Sequence, residues 1–220
     1  MKRKLSNLRK GVLYCFIDLD ICDENGKLIS HKRILSHSLV ANYLRFMYEF
    51  MRGITNFITV GALANTHPTI IVNVLGMSPP MITFSPEGLT VMNHMFVEAP
   101  EADDSFGILV GSGTTAPTPG DYNLAVKILH GTGAGQLYYK EVTLLSPTIV
   151  GSTTKFVIIR NFINNSGGDV VVKEIGLCVR MISDLNAYNH VLIARDVLTT
   201  PITVPDTKTL VVRYIFQTTV

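Results

Sequence analysis

Apolar and polar positions follow three different rhythms along the chain. Near the start, Val12-Leu-Tyr-Cys-Phe-Ile-Asp-Leu-Asp-Ile21 is dense in strand formers, and Lys27-Leu-Ile-Ser-His-Lys-Arg-Ile-Leu35 resumes after Asp23-Glu-Asn-Gly26. Asn25-Gly26 supplies the positive φ angles of a tight turn, which predicts a β-hairpin. Ser36-His-Ser38 then opens a helix over 38–52, with Leu39, Val40, Tyr43, Leu44, Phe46, Met47, Phe50 and Met51 at helical spacing and Gly53 as its stop. Asn42, Arg45, Glu49 and Arg52 form its polar side. This apolar face is wider than one core contact needs, so the helix is expected to pack under a sheet or against a neighbour, with Tyr43, Phe46, Met47 and Phe50 as the candidate contacts with a neighbouring subunit.

The third rhythm is that of short strands. Segments 69–75, 81–84 and 89–97 read as strands, and the signal strengthens at 106–110, 136–145, 153–163, 170–181, 190–197 and 209–218. Between them lie Gly-, Pro-, Asn- and Ser-rich connections without amphipathic helices, although Asp121-Tyr-Asn-Leu124 reads as one short helical turn. The expected architecture is all-β: an antiparallel, jelly-roll-like β-sandwich over 36–220 carrying the one amphipathic helix. Residues 1–35 are expected to be an extension, a basic arm and β-hairpin that joins a neighbour's sheet or lies along the body.

Composition changes the picture in one respect. Hydrophobic residues make up 47% of the 220 and charged residues 16%, against about 25% charged in an average domain. That excludes general disorder. The longest apolar run, 12–17, stops at Asp18, well short of the ~20 residues of a spanning helix. The same short run, without a small-residue cleavage site after it, predicts no export signal. The surplus apolar content is therefore expected in strands buried on both faces or in surface buried between subunits.

The net charge of +2 is uneven. Lys2, Arg3, Lys4, Arg9 and Lys10 share the first ten residues with no acid. They are the candidate polyanion contacts and the one place where a nucleic-acid partner is expected, with a solvated terminus as the plainer reading.

Candidate chemistry is sparse. Cys15, Cys22 and Cys178 have neither disulfide-framework nor zinc-site spacing and read as reduced packing residues of a chain made in a cytoplasm. The histidines lack metal-ligand spacing. Gly111-Ser-Gly113 runs into Pro117 and Pro119, Gly131-Thr-Gly-Ala-Gly135 lacks the Lys-Ser/Thr of a phosphate loop, and Ser112 is not in a nucleophile elbow. The four carboxylates of 98–104 lack regular ligand spacing. Lys173-Glu174 and Arg195-Asp196 read as strand-end ion pairs, and of Tyr138 and Tyr139 one is expected in the core. No catalytic residue, cofactor or metal site is predicted.

Several pieces occur in a telling order: His37-Ser-Leu-Val-Ala-Asn-Tyr-Leu44, Phe106-Gly-Ile-Leu-Val-Gly-Ser-Gly-Thr-Thr-Ala-Pro-Thr-Pro-Gly-Asp-Tyr-Asn-Leu124, Gly133-Ala-Gly-Gln-Leu-Tyr-Tyr139, Phe162-Ile-Asn-Asn-Ser-Gly-Gly-Asp-Val170, Glu174-Ile-Gly-Leu177 and Leu192-Ile-Ala-Arg-Asp-Val197. In that order they resemble structural proteins of tailed bacterial and archaeal viruses. The resemblance implies a non-enzymatic virion component in tail, fibre, baseplate, connector or head decoration, assembled with copies of itself and with other virion proteins, without a membrane. A receptor- or glycan-binding module of a viral or cell-surface appendage is the alternative.

Overall fold

The computed structural model describes residues 9–36, 39–51, 75, 96–182 and 188–220. The elements run β1 (Leu13–Cys22), β2 (Leu28–Leu35), α1 (Ala41–Met51), β3 (Gly107–Gly111), β4 (Tyr138–Val150), β5 (Thr153–Ile163), β6 (Val170–Ile182), β7 (Tyr188–Val204) and β8 (Thr209–Thr219). The strands form two antiparallel sheets, ordered β2-β1-β8-β5-β4 and β3-β6-β7. The fold is all-β with one short helix among the described residues. Two four-stranded sheets, the jelly-roll arrangement, are not seen among them. The strands expected at 69–75, 81–84 and 89–97 fall almost wholly outside the described residues.

Strand alternation builds the core. On β1, Cys15, Ile17, Leu19 and Ile21 point inward, and their partners on β8 are Phe216, Tyr214, Val212 and Leu210. On β5, Ile158 and Phe162 continue the same face. These side chains share one cluster with Ile108 and Val110 of β3, Ile175 and Leu177 of β6 and Val191 of β7, so both sheets contribute to one core. Each such side chain contributes about 1.5–3 kcal/mol on burial.

The hairpin forms as its turn chemistry predicts. Gly26 has φ 77°, and the Asp23 carboxylate accepts from the backbone N–H groups of Asn25 and Lys27 at 3.0 and 2.9 Å. Its place is along the body: β1 lies between β2 and β8 and pairs with β8 from Leu13 to Cys22. A boundary at 35/36 therefore divides a continuous sheet.

Two local expectations are corrected. Residues 121–124 form no helical turn; Asp121 instead closes the preceding turn, accepting from the Thr118 N–H at 3.0 Å and the Thr118 hydroxyl at 2.7 Å. The helix begins at Ala41, because residues 39–42 are engaged with β7. Leu39 bridges Ala194, Val40 N–H donates to Ile193 O, and Asn42 Nδ2 donates to Leu192 O at 3.2 Å. Asn42, expected on the polar side, is thus buried, while Leu44, expected on the apolar face, is 67% exposed.

Candidate assembly surface

Two buried arginines hold the segments on either side of β3, Arg195 the loop that follows it and Arg160 the segment that leads into it. Arg195 of β7 reaches Glu174 of β6 at 2.8 Å and Asp121 at 2.7 Å, and donates to Thr115 O at 2.9 Å. Glu174 is itself fully buried and accepts from the backbone N–H groups of Gly113, Ala125 and Val126 at 3.0, 3.1 and 2.8 Å. Burial works against the Arg195 charge, but Asp121 and Glu174 outweigh it and raise its pKa. The loop must pass close to this carboxylate, and a Cβ at Gly111 would stand 2.6 Å from Glu174 Oε1. Here Gly-x-Gly serves close approach to a carboxylate of the chain itself.

Arg160 of β5 is fully buried without a carboxylate partner. It donates to the carbonyls of Lys140, Phe106, Ile108, Pro100 and Asp103. Its guanidinium lies 4.7 Å from the Tyr139 ring centre. Burial pushes its pKa down to about 10, so it stays charged at neutral pH and ties residues 100–108 to the first sheet.

With the loops so held, each sheet edge has a different fate. The free side of β7 is covered at 192–194 by residues 39–42, as above, and beyond them runs on through the uncharged 197–204. That of β3 is covered by 126–128, where Ser112 N–H donates to Val126 O and Ile128 N–H to Val110 O. The start of β4 is covered by the loop 99–102, where Val142 N–H donates to Ala99 O and Ala102 N–H to Tyr139 O. On β2 the outer edge carries His31, Lys32 and Arg33, the charged dress that blunts edge-to-edge pairing.

The stretch Thr143-Leu-Leu-Ser-Pro-Thr-Ile-Val150 differs from all of these. It lies on the outermost strand, has no charged residue, and every one of its residues is exposed, so both faces of the strand are open. Ile149 is 75% and Val150 71% exposed. Pairing continues an uncharged row across the sheet end, since Ile149 lies opposite Thr154, Thr154 opposite Thr218, and Thr218 opposite exposed Leu13. Sequence reasoning missed the site because it ended this strand at 145; the uncharged run 142–154 was the signal available.

The residues named from the sequence distribute differently. Tyr43 packs against the core and Met47 is partly buried, while the side chains of Phe46 and Phe50 lie outside the described ones. Arg9 and Lys10 are exposed beside β1; Lys2, Arg3 and Lys4 lie outside the described residues. The acidic loop is largely engaged internally: Glu101 pairs with Lys140, Asp103 accepts from Ser105, and Asp104 pairs with Lys127 and accepts from the His130 N–H. No group of three or more metal-ligating side chains occurs among the described residues. Of Tyr138 and Tyr139, the second is core.

The constellation nearest to catalytic form lacks the required order. Ser105 Oγ donates to Asp103 at 2.5 Å and stands 3.4 Å from His190 Nε2. The carboxylate addresses the hydroxyl and leaves the imidazole, stacked on Phe106, unoriented. Burial lowers the pKa of His190 against the pull of Asp103. A cavity of about 430 Å³ beside the β1–β2 turn is lined by Cys22, Asp23, Glu24, Asn161, Thr209 and Arg213 among others, with no aromatic side chain on which a sugar ring would stack. Arg213 there is paired with Asp20 and Glu24 with Lys208, and the Asp23 carboxylate accepts from the turn's backbone.

No family model, curated protein or solved structure matches the chain.

Proposed function

We propose that the chain is a non-enzymatic structural subunit that assembles into a symmetric homo-oligomer, and that its setting is the particle of a tailed virus, together with other virion proteins. The observation that carries the assembly reading is the uncharged, two-face-exposed edge of β4. An edge of that kind is a template for another strand, and isolated proteins normally cover or charge it. Of the other edges, β2 is charged, and β3, the start of β4 and β7 at 192–194 are covered.

The virion setting rests on the ordered resemblance. In the fold, its pieces adjoin one another: 106–124, 174–177 and 192–197 meet at Asp121, Glu174 and Arg195. They are a structural signature, the means by which a long turn-rich loop is locked onto a sheet. Electron microscopy of the purified protein tests the reading. Repeating particles of defined symmetry are expected; a field of separate single chains at every concentration contradicts it.

A further inference from the structure

We infer that two copies of the chain join β4 to β4, antiparallel about a two-fold axis between Ser146 and Pro147, so that Leu144 of each copy lies opposite Ile149 of the other. This rests on the structural-subunit reading and specifies its contact. Three observations lead to it. The open edge runs from 143 to 150, since the loop 99–102 covers the strand before it. The occupant is a second copy because this edge is self-complementary in charge, having none. The opposite edge of the same sheet, β2, would instead bring His31, Lys32 and Arg33 against a stretch without a carboxylate.

The register follows from the irregularity within β4. Leu145 lies opposite Val157 and Thr148 opposite Lys155, so one extra residue sits between them and the alternation of faces is reset. Leu145 and Thr148 therefore share one face of the sheet, and Leu144 and Ile149, opposite Ile158 and Thr154, share the other. Opposed residues of paired strands must share a face. The pairing of 143–145 with 148–150 satisfies this at every position, setting Thr143 against Val150, Leu144 against Ile149 and Leu145 against Thr148. It also brings Pro147, which has no N–H to give, to the axis, where the two short ladders separate. The joined sheet has ten strands and ends, on both sides, in the charged β2. Symmetry makes each apolar pair occur twice, which closes the contact and prevents open growth through it.

The test uses the full chain with Cys22→Ser, because Cys15 and Cys178 are buried. Leu144→Cys and Ile149→Cys are prepared separately, checked by circular dichroism, then oxidised alone and mixed. Directly opposed residues lie about 4.5–5.5 Å apart, within disulfide reach, whereas each cysteine is far from its own copy across the axis. The expected result is a cross-linked dimer in the mixture and almost none in either variant alone. Leu145→Lys with Thr148→Lys should raise the dimer dissociation constant at least about tenfold. An oligomeric wild type whose mass is unmoved by the lysines, or which cross-links equally in the single variants, overturns this contact and leaves the subunit reading standing. A wild type that is monomeric at every concentration overturns both.

Discussion

At the scale of single residues, stability is concentrated in buried charges that bridge chain segments distant in sequence. Glu174→Ala would leave the Arg195 guanidinium with Asp121 and the Thr115 carbonyl and orphan three backbone N–H groups. Removing one partner of a buried pair costs about 3–5 kcal/mol, and urea denaturation should show a loss of that size. Glu174→Gln, which keeps part of the acceptor geometry, should lose less. Acidification acts on the same class of groups. Burial would raise Asp104 and Asp121, but hydrogen bonds and the Lys127 and Arg195 charges hold both below the ordinary carboxylate value. Asp20 is likewise held low by His31 and Arg213 against burial. A carboxyl lowered in the folded state contributes stability above its unfolded pKa and loses it as pH falls through the folded one. Burial of His190 lowers its pKa, so stability begins to decline below about pH 6.5, and the carboxylates add a steeper fall below about 4; a melting temperature that rises on acidification would contradict the pairing. The sequence shows these charges but not their partners. Glu174 and Arg195 each stand beside an opposite charge in the chain, Lys173 and Asp196, and only the β6–β7 register reveals that they bond to each other.

Among the elements, strands were legible wherever alternation was dense. β5, β6 and β8 lie within a residue of their expected limits, and the hairpin follows from Asn25-Gly26. β4 and β7 run on through 146–150 and 198–204, where Ser, Thr and Pro weaken the strand pattern. Helix α1 was legible in kind but not in orientation, because its rotation is set by Asn42 bonding to β7, a contact between residues 150 apart in sequence. The hairpin matters most for stability. An extension would be dispensable, yet β1 places Cys15, Ile17, Leu19 and Ile21 in the core. Deleting residues 1–35 should therefore abolish the cooperative unfolding transition, as followed by circular dichroism; a truncated chain with a native-like transition would show that β8 closes the sheet without β1. Polyanion binding at the arm, a further proposal, should be sequence-independent. Lys2, Arg3, Lys4, Arg9 and Lys10 offer at most five phosphate contacts, so log affinity should fall with log salt at a slope of about −3 to −5. Binding unaffected by changing all five to Ser would rule it out.

On the scale of the whole molecule, the high apolar content anticipated from composition is divided between one core shared by two sheets and exposed side chains, among them Leu144, Leu145, Ile149 and Val150 of β4. The first sheet has a charged edge at β2 and an open one at β4, so that sheet has one obvious direction in which to extend. That polarity was not legible in the sequence, since it depends on which strand ends the sheet and where the loop 99–102 stops covering it. The virion setting and the structural role both require that copies associate. Sedimentation equilibrium of the purified wild-type chain across a wide concentration range addresses this requirement most directly. The account predicts a defined multiple of 24.2 kDa that dissociates on dilution to the single chain, and a constant 24.2 kDa species at all concentrations would contradict it.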